Sequence, residues 1–592
     1  MQRKKKIRVY LKKAPKEHVH LGLCLLYAGT ACRGLQLQAH EPTHHTLEGV
    51  LIQALKDVGL IGDIERGRIK DEDHHFGRSC RTDRGVHAVR NIVTLFVKEE
   101  ALDRTGGVEG ARERLNQALP SFIRVGKVTV LSANFVPRSS CTRRVYRYLI
   151  PAYALLAPSD SFATLPKYFA DYAADALLTT ADKTASGNYV YNLEAAGTGE
   201  EGAAVPLWVK ALQEKVKTAN ALIAKYFVGY HRFHNFSYDV DHERGHQNAK
   251  VIHPNDGEAA RIVQRCGIAE RLCFLRGTGD AGGISRREYV ENLRLIGKPL
   301  PEAGSSEGGP QPAWYPYVVF QIEGSSFLFN MIRKIVGCLL AVLRGAACSL
   351  LEQALSPRHR VTTPLAPGVY LYLALSTYHS YDVEQRSRAA GRFAALADEW
   401  SGAVAQQAEQ FAWQTITQDI VDMDLNRLPP LDELLAVRDA AYKMRRPQSV
   451  AEDSHLPSMK EYKPLEMGKA LSSKCSEMTV FLRLLRVHNW AIRELNLQEN
   501  SKALLEMKNG TLASHATEET DGQSLPQDIP DREHVQEGDL NQKMSELEGS
   551  ADGWIYTSLS SMEAQDQSRK EGRKRTRPWE EGGESHTTGS CE

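Results

Sequence analysis

The run Arg81-Thr82-Asp83-Arg84-Gly85-Val86-His87-Ala88 places one carboxylate between two guanidinium-bearing residues, just before a glycine. It leads into the apolar, strand-like stretch Ile92-Val93-Thr94-Leu95-Phe96-Val97. Cationic neighbours favour the ionised form of an acid, and a turn lets its side chain reach a ligand. Taken alone, the octapeptide fits two readings. Asp83 is either a reactive carboxylate or a surface residue that satisfies its own backbone beside Gly.

Arg333 is the second residue with chemical potential. The segment from Phe327 to Gly337 has a helical pattern, which stacks Arg333 in one column with Phe329, Val336, Gly337 and Leu340. Such a column draws the guanidinium toward a core. Burying it alone is very costly, and a carboxylate partner offsets much of that cost. The competing reading is an Arg that snorkels from the edge of a core helix. In Arg144-Val145-Tyr146-Arg147-Tyr148 the two tyrosines share one strand face with Arg144 and Ile150, a face that tyrosines routinely use for core packing. His231 and His234 stand at i, i+3, but no third ligand lies at zinc-motif spacing, so no metal is expected.

Around these residues the elements read as follows. Residues 21–27 form a buried strand, and Thr46 is an N-cap for a helix that starts just after it. A helix near 110–119 and strands at 125–131 and 144–150 follow. Strands interleaved with helices at this spacing predict an α+β fold, a sheet with helices packed on one side. Gly-rich stretches at 196–204, 277–283 and 302–312 read as inserted loops. Residues 386–446 have helical periodicity, and 478–507 fit one or two amphipathic helices. From 510 onward apolar residues are too sparse to offset ordering entropy, so that tail is expected to be disordered.

Composition sets further bounds. The 592 residues carry a net charge of +1, but residues 501–592 hold 10 Lys and Arg against 19 Asp and Glu, a net of −9, so the first 500 carry +10. A basic body suits a polyanionic partner. The ten cysteines include no CxxC pair, which argues against both a zinc knuckle and a secreted disulfide framework. The apolar stretch 317–343 is interrupted by Glu323, Arg333 and Lys334, so no membrane span is expected.

The octapeptide around Asp83 resembles the catalytic motif of the TruA-type tRNA pseudouridine synthases. That resemblance implies that Asp83 is the nucleophile. Gly324-Ser325-Ser326-Phe327-Leu328 with Met331-Ile332-Arg333-Lys334-Ile335-Val336-Gly337 resembles the family's third signature, in which the Arg pairs with the catalytic Asp. The RxYxY strand is similar to this sequence at 144–148 and implies that Tyr146 stacks on the flipped base. Residues 229–236 resemble the GTHxFHNF signature of the eukaryotic multi-site branch, with Tyr230 in place of Thr. Tyr27, Gly29, Gly34 and Gln36 resemble the opening YxGxxxxGxQ turn. Residues 365–371 resemble the closing APxxGL segment, with Tyr370 where the pattern has Gly, a residue that frees the backbone. The matches keep the family's order from about 21 to 381.

The resemblance implies a pseudouridine synthase fold: two sub-domains forming a central, mostly antiparallel sheet flanked by helices. The expected boundaries are a basic segment at 1–18, an N-terminal catalytic part at 19–145 and a C-terminal one at 146–384. A helical extension at 385–508 and an acidic tail at 509–592 follow. The implied reaction breaks the N1–C1′ bond of uridine, turns the base and rejoins it through C5. It needs no cofactor, in keeping with a sequence that carries no P-loop or dinucleotide fingerprint. Extruding the base costs a few kcal/mol, of which stacking on an aromatic ring returns roughly 1–3 kcal/mol. Arg78, Arg81, Arg84, Arg143 and Arg147 are candidate contacts to the RNA backbone, and His231, Asn235 and Phe236 candidate substrate contacts. The expected partner is tRNA, with mRNA or small RNA as further candidates, bound by a monomer. Basic clusters at 3–8 and 569–577 favour the nucleus, with the mitochondrion as the alternative. A catalytically vestigial factor that binds RNA or assembles a ribonucleoprotein is the competing function.

Overall fold

In a computed structural model of the chain, the described residues are 17–38, 42–62, 76–156, 205–237, 252–276, 314–387, 393–425 and 431–445, with short pieces at 175–178, 180–184, 188–194, 291–299, 477–479, 481–482 and 485. Both basic clusters, nearly all of the three Gly-rich stretches and the tail from 509 lie outside them.

The chain begins with strand β1 (His18–Tyr27), helix α1 (Leu47–Asp57), the short β2 (Gly77–Arg78) and the long β3 (His87–Lys98). Helices α2 (Glu99–Thr105) and α3 (Gly107–Ala118) lead to β4 (Ile123–Leu131) and β5 (Arg143–Pro151). Next come β6 (Asp182–Lys183), β7 (Tyr189–Asn192), α4 (Leu207–Tyr226), β8 (Gly229–Arg232), β9 (Ala260–Leu275) and β10 (Tyr315–Gly324). Helices α5 (Met331–Leu343) and α6 (Ser349–Leu355) precede β11 (Leu371–Thr377). Helices α7 (His379–Ser387), α8 (Ala403–Phe411), α9 (Thr417–Asp424) and α10 (Leu431–Arg445) close the described chain.

Thr46 caps α1 as expected: its side chain accepts a hydrogen bond from the Gly49 amide. The apolar stretch 317–343 divides into β10 and α5. Among the described residues no helix is long and apolar enough to cross a membrane.

Among the described residues, eleven strands form one sheet, in the order β4-β1-β3-β11-β5-β10-β9-β7-β6, with β2 on β3 and β8 on β9. Every pairing is antiparallel except β11 with β3, where Tyr372 faces His87 and Leu373 faces Ala88. That parallel seam joins an N-terminal half to a C-terminal half. The boundary expected between residues 145 and 146 falls inside β5, which pairs along its length with β10 and with β11. β3 is buried on both faces except at Lys98, and its polar residues His87, Arg90, Asn91 and Thr94 are buried with its apolar ones.

Part of that cover is the helical extension. Arg90 of β3 donates to the Trp400 carbonyl at 2.8 Å, and the Trp400 indole donates to Thr129 of β4 at 3.3 Å. On α10, Arg438 is buried and donates to the Ala31 and His44 carbonyls. His44 and His45 both bond Asp439, at 2.5 and 2.7 Å. The extension is therefore fastened to the N-terminal half of the sheet, in part through side chains some 400 positions apart.

Candidate active site

Asp83 stands in the turn just before β3, beside the parallel seam, and several of the quoted residues hold that turn. The Tyr27 hydroxyl shares a hydrogen bond with Thr82 at 2.9 Å, and the Asn91 amide donates to the same hydroxyl at 2.9 Å. Asn91 also accepts from Ser79 at 2.7 Å. A Cβ on Gly29 would overlap the Val86 carbonyl. Gly34 has φ +92° and lies against the Thr82 carbonyl, so no side chain fits there. Gly85, at φ +79°, turns the chain into β3. The opening glycine pattern thus shapes the shelf on which Asp83 rests.

Arg333 reaches this shelf from α5. Its Nη1 lies 3.5 Å from Asp83 Oδ2, across 250 positions of sequence. The two side chains are 25% and 16% exposed, so the pair faces a cleft rather than the deep core. Arg333 Nε donates to the Ala366 carbonyl at 2.8 Å, and Nη1 bonds the Asn330 side chain at 3.4 Å. Asn330 begins the helix at φ +62°, a conformation Asn tolerates better than most residues. The expected column on α5 therefore loses its first member. Phe329 lies before the helix and is 44% exposed, so it is not part of the buried face of α5.

The charge balance at Asp83 also differs from the expectation. Arg81 and Arg84 are exposed, and neither is what sets the acidity of Asp83. Burial pushes its carboxyl above the ordinary value, and Arg333 only partly counters that rise. Glu477, whose side chain is exposed, brings a second carboxylate within electrostatic reach of Arg84 and Arg333.

One five-residue strap, 366–370, ties the catalytic elements together. The Ala366 carbonyl takes Arg333 Nε, and the Pro367 carbonyl takes the Tyr148 hydroxyl at 2.9 Å. Gly368 passes close to the Arg84 carbonyl and the Arg333 guanidinium, where a Cβ would come within 2.8 and 3.6 Å. The Val369 carbonyl takes His87 Nε2 at 2.7 Å, while His87 Nδ1 accepts from the Gly29 amide at 3.1 Å. These two bonds require one neutral tautomer of His87, with its proton on Nε2. Tyr370 is not at positive φ and is fully buried, so this backbone does not need the family's Gly there.

Burial lowers His87 from 6.5 to about 4. Its folded-state value lies below the unfolded one, so its contribution is complete above pH 6.5 and is lost as the pH falls toward 4. Between pH 7 and pH 5 this amounts to about 2 kcal/mol. Urea unfolding at the two pH values should show that loss in the wild type. In His87→Gln, less stable throughout, that component should vanish.

The strap crosses α5 at Gly337, where an added Cβ would press into the Pro364 carbonyl. Gly to Ala in a helix ordinarily gains up to about 1 kcal/mol. Here the overlap is with backbone, and Gly337→Ala should instead destabilise by roughly 1–3 kcal/mol in urea unfolding.

Other expected contacts are placed differently. Arg78 pairs with the buried Glu48, Arg143 pairs with Glu323 at 3.3 Å, and the buried Arg147 donates to Gln321 at 2.8 Å. These three are held by protein partners, which leaves Arg81 and Arg84 as the exposed cations beside Asp83. Asn235 and Phe236 are buried and structural. Asn235 donates to the Ala354 and His359 carbonyls and accepts from the Val361 amide, while Phe236 packs edge-on against Phe227 and Phe233. His231 bonds the Val228 carbonyl at 2.9 Å. Tyr146 is 8% exposed, with its ring edge-on to Phe327 at 5.5 Å. Its neighbour Arg144 bonds Cys80 Sγ and the carbonyls of Ser79, Ser325 and Arg138, joining three segments around that ring.

The described His, Cys, Asp and Glu side chains with ligand atoms close enough for an ion are His44, His45 and Asp439, all within 4.8 Å of one another. Their contacts have hydrogen-bond lengths. Burial works to raise Asp439, but the bonds from the two imidazoles outweigh it and hold the carboxyl well below its usual range.

Residues 223–379 match the family model described as tRNA pseudouridine synthase. The tRNA pseudouridine synthase 2 of Schizosaccharomyces pombe is 26% identical over 393 residues, covering 62% of this chain and 78% of that protein. Over these spans the chain is similar to the TruA-type tRNA pseudouridine synthases. It is also similar to tRNA pseudouridine synthase 1 of Yarrowia lipolytica, at 24% identity over 66% of this chain and 70% of that protein. It is 25% identical to the human pseudouridylate synthase 1 homolog, over 61% and 60% of the two chains. The mixed architecture, one large and mostly antiparallel sheet flanked by helices, agrees with that likeness.

Proposed function

We propose that this chain isomerises uridine to pseudouridine in tRNA, with Asp83 as the nucleophile. The observation that carries the reading is the 3.5 Å approach of Arg333 to Asp83 at a partly open cleft. The likeness to the family supplies the reaction class, and the pair supplies a carboxylate beside a fixed cation. Arg333 favours the ionised form, which alone can attack, and lowers the cost of keeping it in a crowded site. The cation is itself oriented by Ala366 and Asn330, so it need not reorganise when charge moves on Asp83.

Tyr146 is the aromatic platform for the extruded base. Its ring becomes available when Phe327, half-buried in the connection between β10 and α5, turns aside. Arg81 and Arg84 contact the RNA backbone on either side of the target. Messenger or small RNAs with similar local structure are further substrates, and the chain acts as a monomer in the nucleus. The basic clusters at 3–8 and 569–577 support that location.

The test is to incubate the purified full chain with tRNA transcripts and map pseudouridine by site. Stoichiometric conversion of discrete uridines is expected. Wild-type protein that binds the transcripts yet leaves every uridine unchanged would favour the vestigial binding factor.

A further inference from the structure

The strap at 366–370 has one anchor that the reaction scheme does not use. Its last residue, Tyr370, donates its hydroxyl to Oδ1 of Asp424, at the end of α9 in the helical extension. Asp424 is fully buried. It also accepts from Tyr153 at 3.1 Å and from Tyr317 of β10. A buried carboxylate needs such donors to offset its lost hydration. Burial, reinforced by the Asp424 charge, pushes the Tyr317 and Tyr370 phenols well above their ordinary value, so both remain protonated donors.

We infer that Asp424 is a positioning residue for the Asp83–Arg333 pair, acting through Tyr370 and the strap. This rests on the function proposed above and extends it beyond the matched span 223–379. Four consecutive strap residues touch catalytic elements. Ala366 fixes Arg333, Pro367 fixes Tyr148, Gly368 packs on Arg84 and Arg333, and Val369 fixes His87. Tyr370 stacks on Tyr148, with ring centres 5.8 Å apart. Asp424 holds the free end of this series. A shift of about 1 Å in a catalytic group can cost on the order of 100-fold in rate, so even partial release of the strap should register in turnover. Tyr370 stands where the family pattern has Gly, which has no hydroxyl. In this chain the hydroxyl couples the extension to the cleft.

The three tyrosines allow a control. Tyr317→Phe removes a bond to Asp424 that does not involve the strap, whereas Tyr370→Phe removes the one that does. With a tRNA transcript that the wild type converts, Tyr370→Phe and Asp424→Asn should each lower kcat about tenfold or more, with KM within about twofold. The double variant should be no slower than the slower single one, because both break one linkage. Tyr317→Phe should lower the melting temperature but keep kcat within about twofold. Equal kcat for Tyr317→Phe and Tyr370→Phe would overturn the inference, as would wild-type kcat in Asp424→Asn. Should Asp424→Asn fail to fold, the two tyrosine variants decide. An inactive wild type refutes the proposed function itself, a separate outcome.

Discussion

Asp83→Asn should lower pseudouridine formation by about 10⁴-fold or more while RNA affinity stays within a fewfold of wild type. The amide keeps the size and much of the hydrogen bonding of the acid but cannot act as a nucleophile. Stability should move the other way. Burial raises the folded-state value of Asp83 above its unfolded one. A raised acid contributes stability below the unfolded value and loses it as the pH rises through the folded value. At neutral pH the ionised side chain is therefore a net cost to folding, reduced but not cancelled by Arg333. Removing the charge should leave the melting temperature unchanged or raise it. Loss of activity accompanied by a marked fall in melting temperature would mean that the residue is structural. Functional groups held at the expense of stability commonly show this opposition.

Arg333→Ala should be the next most damaging change, lowering kcat by roughly 10²–10³-fold. Two effects combine. The fixed cation beside the reacting carboxylate disappears, and Asp83 keeps its burial without its main counterweight. The carboxyl should then rise further above its ordinary range. In a pH profile of kcat/KM, the acid limb reports the ionisation of Asp83. That limb should lie above the ordinary Asp value in the wild type and shift upward again in Arg333→Ala. An unchanged limb would show that the two residues are not electrostatically coupled. Arg333→Lys should recover part of the charge effect and little of the geometry, because an ammonium cannot serve Asp83, Ala366 and Asn330 in one plane.

The local patterns singled out both members of this pair but left two readings open for each, and it was the family resemblance that joined them. Asp83 has a glycine turn and a strand beside it, and Arg333 interrupts an apolar helix. The strands of the first half were legible for a related reason: β1, β3, β4 and β5 are apolar runs bounded by turns. Partners of charged side chains were not. Arg78, Arg143 and Arg147 look alike as exposed cations, yet Glu48, Glu323 and Gln321 occupy them, and those contacts exist only once the sheet has formed. The helix boundary at Asn330 was missed because a left-handed Asn breaks the periodicity that carried Phe329 into the column. His87 lies within the quoted octapeptide, but its task depends on a carbonyl 282 positions away. Asp419, Asp422 and Asp424 on α9 are fully buried, which the helical periodicity of 386–446 does not reveal. A polar helix can be a core helix when the surface it meets supplies the donors.

The most direct measurement is site-resolved pseudouridine mapping across all cellular RNA, comparing cells that carry the wild-type chain with cells in which Asp83→Asn is the sole copy. The account predicts that a discrete set of tRNA uridines loses the modification completely in the variant, at equal protein abundance. Persistence of those pseudouridines in the Asp83→Asn cells, when they vanish on deleting the chain, would contradict it.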